Sequence, residues 1–475
     1  MTMTTASTQQ TTNTAGLYYI KTHGCQMNEE DSNKMGNLLQ EQCQMSPCTS
    51  VQDADLIILN TCSIREKAQE KVFSELGRWR KEIKCKDDVV IAVAGCVASQ
   101  EADEIFKRAP FVKIVIGPQT IHRLGDLYRQ CKSSKKRQID VSFPAIEKFD
   151  HLPQNTESAV SSFLTIMEGC NKFCSYCIVP YTRGEEISRD FKNVIEEAKH
   201  LARTGAREIV LLGQNVNDYY GKIDETIDGN LALLIQTISQ IPGIERIRFT
   251  TSHPQAFDDT LIDAYDARNT KLCNHLHLPV QSGSNRILKN MKRDYTIEKY
   301  LEIIDQLRCK RPGLPISTDI IVGFPGETED DFQQTMALVD RVKFDSSFSF
   351  IYSPRPGTPA SELVDEVPLE EKKSRLARLQ TRLKYYADQI ALSMVGQTVT
   401  VLVEGMSKKS NRQLSGRTEN NRIVNFPGDA SFLGQIVHVT ITEKCQNSLR
   451  GRLVSGADQA QANHSTDRQS LAAAT

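Results

Sequence analysis

The sequence predicts an α/β protein in three parts: an N-terminal parallel-sheet α/β domain, a central partial (β/α)6 barrel and a small, OB-like C-terminal β-barrel. Three observations predict it. Short β-branched runs alternate with amphipathic stretches from Leu17 to Cys131, the same rhythm returns with six strand-like runs after about Ala159, and beyond residue 395 closely spaced strands replace the helical stretches. Strands separated by helical patterns imply βαβ units, and successive short strands with turn residues between them imply a small barrel.

The gross numbers agree. A chain of 475 residues exceeds one ordinary core and suggests roughly three domains. A formal net charge of −1 gives no global field to hold a polyanion, so nucleic acid must be held by local patches. "MTMTTASTQQTTNTAG" lacks a basic n-region and an apolar h-region, so residues 1–16 read as a disordered tail, and 457–475 as a second. No apolar run approaches the roughly 18 residues of a membrane span. The expectation is a cytoplasmic protein with no membrane partner.

Residues 17–132 form the first domain. Its strands are "LYYIKT", "DLIILN", "VVIAVAG" and "FVKIVIG", each followed by a helical stretch. Cys25, Cys62 and Cys96 follow the first three strands within a few residues. Parallel strands bring their carboxyl ends to one sheet edge, so the three thiols can converge. The turn residues in "HGCQMN", "NTCSI" and "AGCVAS" favour accessible positions. Three buried thiols that merely end strands remain the alternative on this pattern alone.

Thirteen cysteines without an export signal point to reduced thiols or metal ligands rather than a disulfide framework. Cys43, Cys48, Cys85, Cys131, Cys273, Cys309 and Cys445 lack ligand-like partners and read as incidental thiols. Residues 133–157 read as a linker, in which Lys135, Lys136 and Arg137 continue a basic run from Lys132.

The central domain, 158–392, carries strand-like runs at 161–168, 208–213, 245–251, 274–280, 316–323 and 346–353. Polar residues mark their exits: Glu168, "GQN" at 213–215, "TTSHP", "PVQSGS", "GFPGET" and "SPRPGT". Sites in barrels of this kind lie on the loops after the strands. "EGCNKFCSYCIVP" follows the first strand and places Cys170, Cys174 and Cys177 in a C-x3-C-x2-C pattern with no fourth ligand close by. A closed zinc site takes four ligands, whereas three thiolates on a four-iron cluster leave one iron open.

A charged helix over roughly 366–394 leads to the C-terminal barrel, 395–456. Its runs are "TVTVLVEG", "RQLSGRT", "NRIVNF", "GQIVHVTITE" and "SLRGRLVS", with eight Lys/Arg against four Asp/Glu. A small, locally basic barrel suits RNA binding.

The cysteine loop after the first strand of a partial barrel resembles the radical S-adenosylmethionine enzymes. Together with "KTHGCQMNEEDSNKM", "LNTCSIREKAQEKV", "AGCVASQE", "PYTRGEEISR", "LLGQNVN", "RIRFTTSHP", "HLPVQSGS" and "SGRTENNRIVNF", it resembles their methylthiotransferase family over about 17–456. That resemblance implies two [4Fe-4S] clusters. Cys170, Cys174 and Cys177 would hold the one that coordinates S-adenosyl-L-methionine, and Cys25, Cys62 and Cys96 an auxiliary one.

It further implies a reaction at C2 of N6-dimethylallyladenosine, position 37 of tRNA, giving the 2-methylthio derivative. Two S-adenosylmethionine molecules would be used per turnover, one as methyl donor and one as radical source, with the two open irons facing across the substrate. No catalytic residue beyond the clusters is implied, because an aromatic C–H offers a positioned base no useful acidity.

Phe173 and Tyr176 would lie beside the cofactor or shield the cluster. Gln214, Asn215, Gly323, Gly326 and Glu327 are further candidates for cofactor contact, and Gln281, Ser282, Arg417 and Arg422 for substrate contact. The terminal barrel would be a TRAM module that grips tRNA. A flavodoxin-type electron donor and a monomeric enzyme complete the expectation. The alternatives are a methylthiotransferase for threonylcarbamoyl-adenosine tRNA or for a ribosomal protein aspartate, and, in another class, a non-enzymatic metal-stabilised RNA-binding protein.

Overall fold

Leu56–Thr61 and Val90–Gly95 are buried at every residue, the pattern of strands covered on both faces. In the computed structural model they are the middle of a wholly parallel six-stranded sheet, ordered 46–47, 17–23, 56–61, 90–95, 114–116, 138–140. Alternate residues serve opposite faces. Leu56 and Ile58 pack with Met35, Leu39 and Leu124, while Ile57 and Leu59 pack with Val72, Leu76 and Trp79.

The structure describes residues 16–63, 67–83, 88–143, 149, 159–266, 268–408 and 410–454. Both expected tails (apart from Gly16), Cys85 and most of the expected linker lie outside the described residues. Two edge strands differ from expectation. Ser46–Pro47 was not anticipated, and Gln138–Asp140 pairs with Ile114–Ile116 inside the stretch expected to be linker. Two or three residues are too few to show a period, and Ile139, the apolar residue of the last strand, is 41% exposed.

The chain divides into two compact units: residues up to 155 with Tyr181–Arg183, and 156–180 with everything from 184 onward. In the second unit six parallel strands occupy the expected positions. Ser161–Thr165, Glu208–Leu212 and Arg246–Phe249 form one three-stranded sheet, and Leu276–His277, Ile316–Val322 and Ser346–Ile351 another. A single parallel bridge, Ile247 to Leu272, connects the third strand to the segment that enters the fourth. Leu164, Ile209, Leu211, Ile247, Leu276, Ile316 and Ile320 share one core with the inward faces of the flanking helices.

The helix Leu369–Ser393 buries Leu379 and Leu383 in that same core. After it the strands 398–407, 410–418, 423–427, 449–453 and 436–444 close a five-stranded barrel around Val401, Val403, Leu414, Phe426 and Val439. Arginines on the third strand of the central domain fasten this barrel. Arg246 donates to the carbonyls of Arg417 (2.7 Å) and Thr400 (3.1 Å), and Arg248 donates to those of Glu419 and Thr418, each at 2.6 Å. Arg248 also pairs with buried Glu208 at 2.9 Å.

Candidate functional site

In the first unit, His23 pairs with Thr61 and Thr61 with Gly95, so the three following cysteines leave neighbouring strands at one sheet edge. Cys25 caps the helix Gln26–Cys43, Cys62 follows its strand directly, and Cys96 opens the helix Cys96–Glu101. Gly95 has φ +90°, and a Cβ there would stand 2.3 Å from the Thr61 carbonyl oxygen. Glycine is what lets the chain turn so abruptly beside its neighbour.

Buried Asn28 ties the edge together. Its Oδ1 accepts from the Cys25 thiol (3.3 Å), and its Nδ2 donates to Asn60 Oδ1 and the Thr61 carbonyl, both at 3.3 Å. Asn60 returns a bond to the Asn28 carbonyl at 2.8 Å. Cys62 and Cys96 are buried. A hydrogen bond with Cys62, aided by the Arg183 guanidinium, outweighs burial and lowers the Cys25 thiol to about 6. Arg183 is itself buried and held by Asp31 at 2.8 Å.

In the second unit, the other cysteine set follows Met167–Glu168. Gly169, at φ +78°, has no room for a side chain, since a Cβ would fall 1.8 Å from the Glu185 carbonyl oxygen. Its amide donates to Gln214 Oε1 at 2.6 Å, and the Cys170 amide donates to the Gly184 carbonyl at 3.2 Å. Farther along, Ser175 is pinned by its amide to the Met291 carbonyl (2.9 Å) and by its hydroxyl to the Asn290 carbonyl (2.8 Å). Between these anchors Phe173 has φ +46° and is half exposed, while Tyr176 packs beside Ile287, Met291 and Phe324.

Burial pushes the Cys170 thiol to about 11 and the Cys177 thiol to about 12, and the neighbouring Cys174 adds to both. Among the described residues, no three His, Cys, Asp or Glu side chains surround a single metal ion. Thiolates that each bind a different iron of a cluster stand farther apart than the ligands of one ion. Both sets, one at the carboxyl ends of three parallel strands and the other in the single loop after Met167–Glu168, bring three soft donors and suit such a cluster by donor chemistry.

Beside the loop, Lys172 pairs with Asp218 at 2.6 Å, and Asn215 Nδ2 donates to the same carboxylate at 2.9 Å. Burial, then Asp218, raises the Glu186 carboxyl to about 7. Glu186 Oε2 and Asn215 Oδ1 are buried acceptors with no hydrogen-bond partner among the described residues. His253, lowered to about 2 by burial and then by Arg293 and Lys172, is a neutral ring; its Nδ1 accepts from the Gln255 amide at 3.3 Å.

The remaining expected residues divide. Gln281 has φ +69° and is held on both sides of its peptide, by the Asp319 carbonyl (2.8 Å) and the Ile321 amide (2.9 Å). Ser282 is fully buried and accepts from the Ser284 amide at 3.2 Å. The space beside Gly323 is taken by Lys372, whose Cγ would lie 2.4 Å from a Cβ, whereas Gly326 faces open space. Glu327 accepts from the Gly323 amide (2.7 Å) and pairs with buried Arg375 (3.0 Å). Arg417 bonds Glu404 (3.1 Å) and Asn421 (3.0 Å), and Arg422 pairs with buried Asp345.

Sequence reasoning missed Asn28, Asn60, Arg183, Lys172, Glu186 and Arg293. An asparagine three residues after Cys25 is a helix-capping signal that could have found Asn28. Arg293 stands 119 residues beyond the cysteine it touches and carries no local signal.

Comparisons with known proteins cover all three parts. Residues 164–339 match the radical SAM superfamily, 17–117 match the uncharacterized protein family UPF0004, and 392–454 match the TRAM domain. The tRNA-2-methylthio-N(6)-dimethylallyladenosine synthase of Francisella tularensis subsp. holarctica is 56% identical over 436 residues, 92% of this chain and 98% of that one. The protein of the same name from Francisella philomiragia is 57% identical over the same shares. Among solved structures, the radical S-adenosylmethionine methyltransferase TsrM of Kitasatospora setae, with cobalamin and a [4Fe-4S] cluster bound, superposes with a TM-score of 0.54 at 14% identity, covering 73% of this chain and 77% of that one. That likeness concerns the fold alone.

Proposed function

Because the chain belongs to the family of tRNA-2-methylthio-N6-dimethylallyladenosine synthases, we propose that it methylthiolates C2 of N6-dimethylallyladenosine in the anticodon loop of tRNA. The observation that carries this is 56% identity across nearly the whole of both chains. The family matches over 17–117, 164–339 and 392–454 take in both cysteine sets and the C-terminal barrel.

Cys170, Cys174 and Cys177 would hold one [4Fe-4S] cluster, the one that binds S-adenosylmethionine, and Cys25, Cys62 and Cys96 would hold a second. When bound, these groups supply one-electron cleavage of a sulfonium, abstraction of the C2 hydrogen and delivery of a methylated sulfur. The chain's own residues do the positioning. Gln214 and Ser175 anchor the two ends of the loop that presents its thiols. Asn28 and Asn60 lock the helix start that carries Cys25 to the strand end that carries Cys62.

Glu186 Oε2 and Asn215 Oδ1 are acceptors for a cationic or N–H-bearing part of the cofactor. Phe173, Tyr176 and the open backbone at Gly326 would flank its adenosyl part. Glu327 acts from behind by fixing the Gly323 turn, and Gln281 would contact the substrate. Among the described residues no helix is long and apolar enough to cross a membrane. The proposal also takes the enzyme to be a cytoplasmic monomer that draws electrons from a flavodoxin-type donor.

The test is reconstituted enzyme with reductant, S-adenosylmethionine and tRNA carrying dimethylallyladenosine, with nucleoside products weighed by mass spectrometry. Gain of one methylthio group on that base is expected. Product only on threonylcarbamoyl-adenosine tRNA or on a ribosomal protein would refute the assignment.

A further inference from the structure

Arg293 is 5% exposed and, among the described residues, has no carboxylate within ion-pair distance. Its guanidinium spends its donors on the Pro279 carbonyl (2.7 Å), the Tyr295 hydroxyl (3.2 Å) and Cys174 Sγ (3.8 Å), and it lies 5.2 Å from the centre of the Tyr295 ring. Lys172, by contrast, has Asp218. A buried, uncompensated cation costs several kcal/mol, so a chain keeps one where an anion comes to meet it.

The backbone is bent to place it there. Arg293 sits between Lys292 at φ +55° and Asp294 at φ +40°, two side-chain-bearing residues in a region they rarely adopt. The same turn holds the cysteine loop, since Asn290 and Met291 supply the carbonyls that pin Ser175. Loop and guanidinium are therefore fixed to one another. We infer that Arg293 is the built-in counter-charge of the Cys170, Cys174 and Cys177 centre and raises its reduction potential through the guanidinium contact to the Cys174 sulfur.

Arg293 has this role only if the three thiols hold a cluster, as proposed above. Reduction then brings one electron from the external reductant into the centre and adds one negative charge, which an adjacent fixed cation stabilises. Charge and hydrogen bonds to cluster sulfurs are general levers on such potentials.

The experiment compares Arg293→Gln and Arg293→Lys in full-length protein whose Cys25, Cys62 and Cys96 are alanine, so that only the loop centre titrates. Iron content, circular dichroism and the reduced fraction by electron paramagnetic resonance at fixed poise are measured. Arg293→Gln is expected to lower the reduced-to-oxidised ratio about tenfold or more, a shift of 59 mV for one electron, to more negative potential. Arg293→Lys is expected to stay nearer the parent.

If Arg293→Gln holds no iron, the lysine variant decides: iron with a near-parental ratio supports the charge role, and a folded lysine variant without iron overturns it in favour of packing. Loaded variants with the parental ratio overturn the inference alone. A parent that binds no iron overturns the cluster assignment and this inference together.

Discussion

The carboxamide of Gln214 accepts the amide of Gly169 at 2.6 Å, which fastens the exit of the second central strand to the root of the cysteine loop. Removing the acceptor by Gln214→Ala leaves a partly buried amide unsatisfied and costs about 1.4 kcal/mol of loop anchoring. A chelator is then expected to strip iron from the loop about tenfold faster. Gly169→Ala is expected to do more and abolish iron at this loop, because its Cβ would overlap the Glu185 carbonyl. Iron analysis with Cys25, Cys62 and Cys96 replaced isolates both effects.

The proposed function divides the labour between the two thiol sets. Cys174→Ala is expected to abolish reductive cleavage of S-adenosylmethionine. Cys62→Ala is expected to leave cleavage uncoupled from product and to stop methylthiolation. Chromatography of 5′-deoxyadenosine beside the tRNA product separates the outcomes, and loss of cleavage in the second variant would contradict the division.

Glu208 and Arg248 are a buried pair whose arginine also holds the carbonyls of Thr418 and Glu419. Arg248→Met strands the Glu208 carboxylate and costs about 3–5 kcal/mol. Hydrogen exchange over 417–422 is expected to accelerate while exchange in the sheet of the first unit stays unchanged.

Asp331 links Ser284 (2.6 Å), Thr328 (2.6 Å) and Arg286. Burial alone would raise its carboxyl, but Arg286, Ser284 and Thr328 outweigh it and hold the group well below the usual carboxylate range. A folded pKa below the unfolded one gives stability that is full above the unfolded value, near 4, and is lost as pH falls through the folded one. Asp331→Asn is expected to cost about 2 kcal/mol at pH 7 and less at pH 3. Urea midpoints at the two pH values check the sign.

The six central strands and the two thiol sets were legible because each rests on local pattern: β-branched runs, a turn at each exit and a cysteine at fixed spacing. Gln138–Asp140 was not, since three edge residues leave no period. Polar loop residues are harder to read. Ser282 and Glu327 have the chemistry of ligand contacts, yet one is fully buried and the other is spent on Arg375; whether a polar side chain faces a ligand or braces a turn depends on neighbours far along the chain. Arg422 met the same fate, its guanidinium taken by Asp345. Arg293 was missed for the converse reason, that its meaning lies in what folding brings beside it, whereas Asn28 carried a local capping signal that went unread.

The arginines beneath the five-stranded barrel have a mechanical consequence. A load applied to that barrel runs through the guanidinium bonds of Arg246 and Arg248 into the strand Arg246–Phe249, and through Arg422 to Asp345 at the foot of Ser346–Ile351. The single covalent crossing near Gly396 need not carry it. Load on the barrel is thus delivered to the bases of two central strands, and the barrel behaves as a clamp bolted to the bench rather than a hand on a tether.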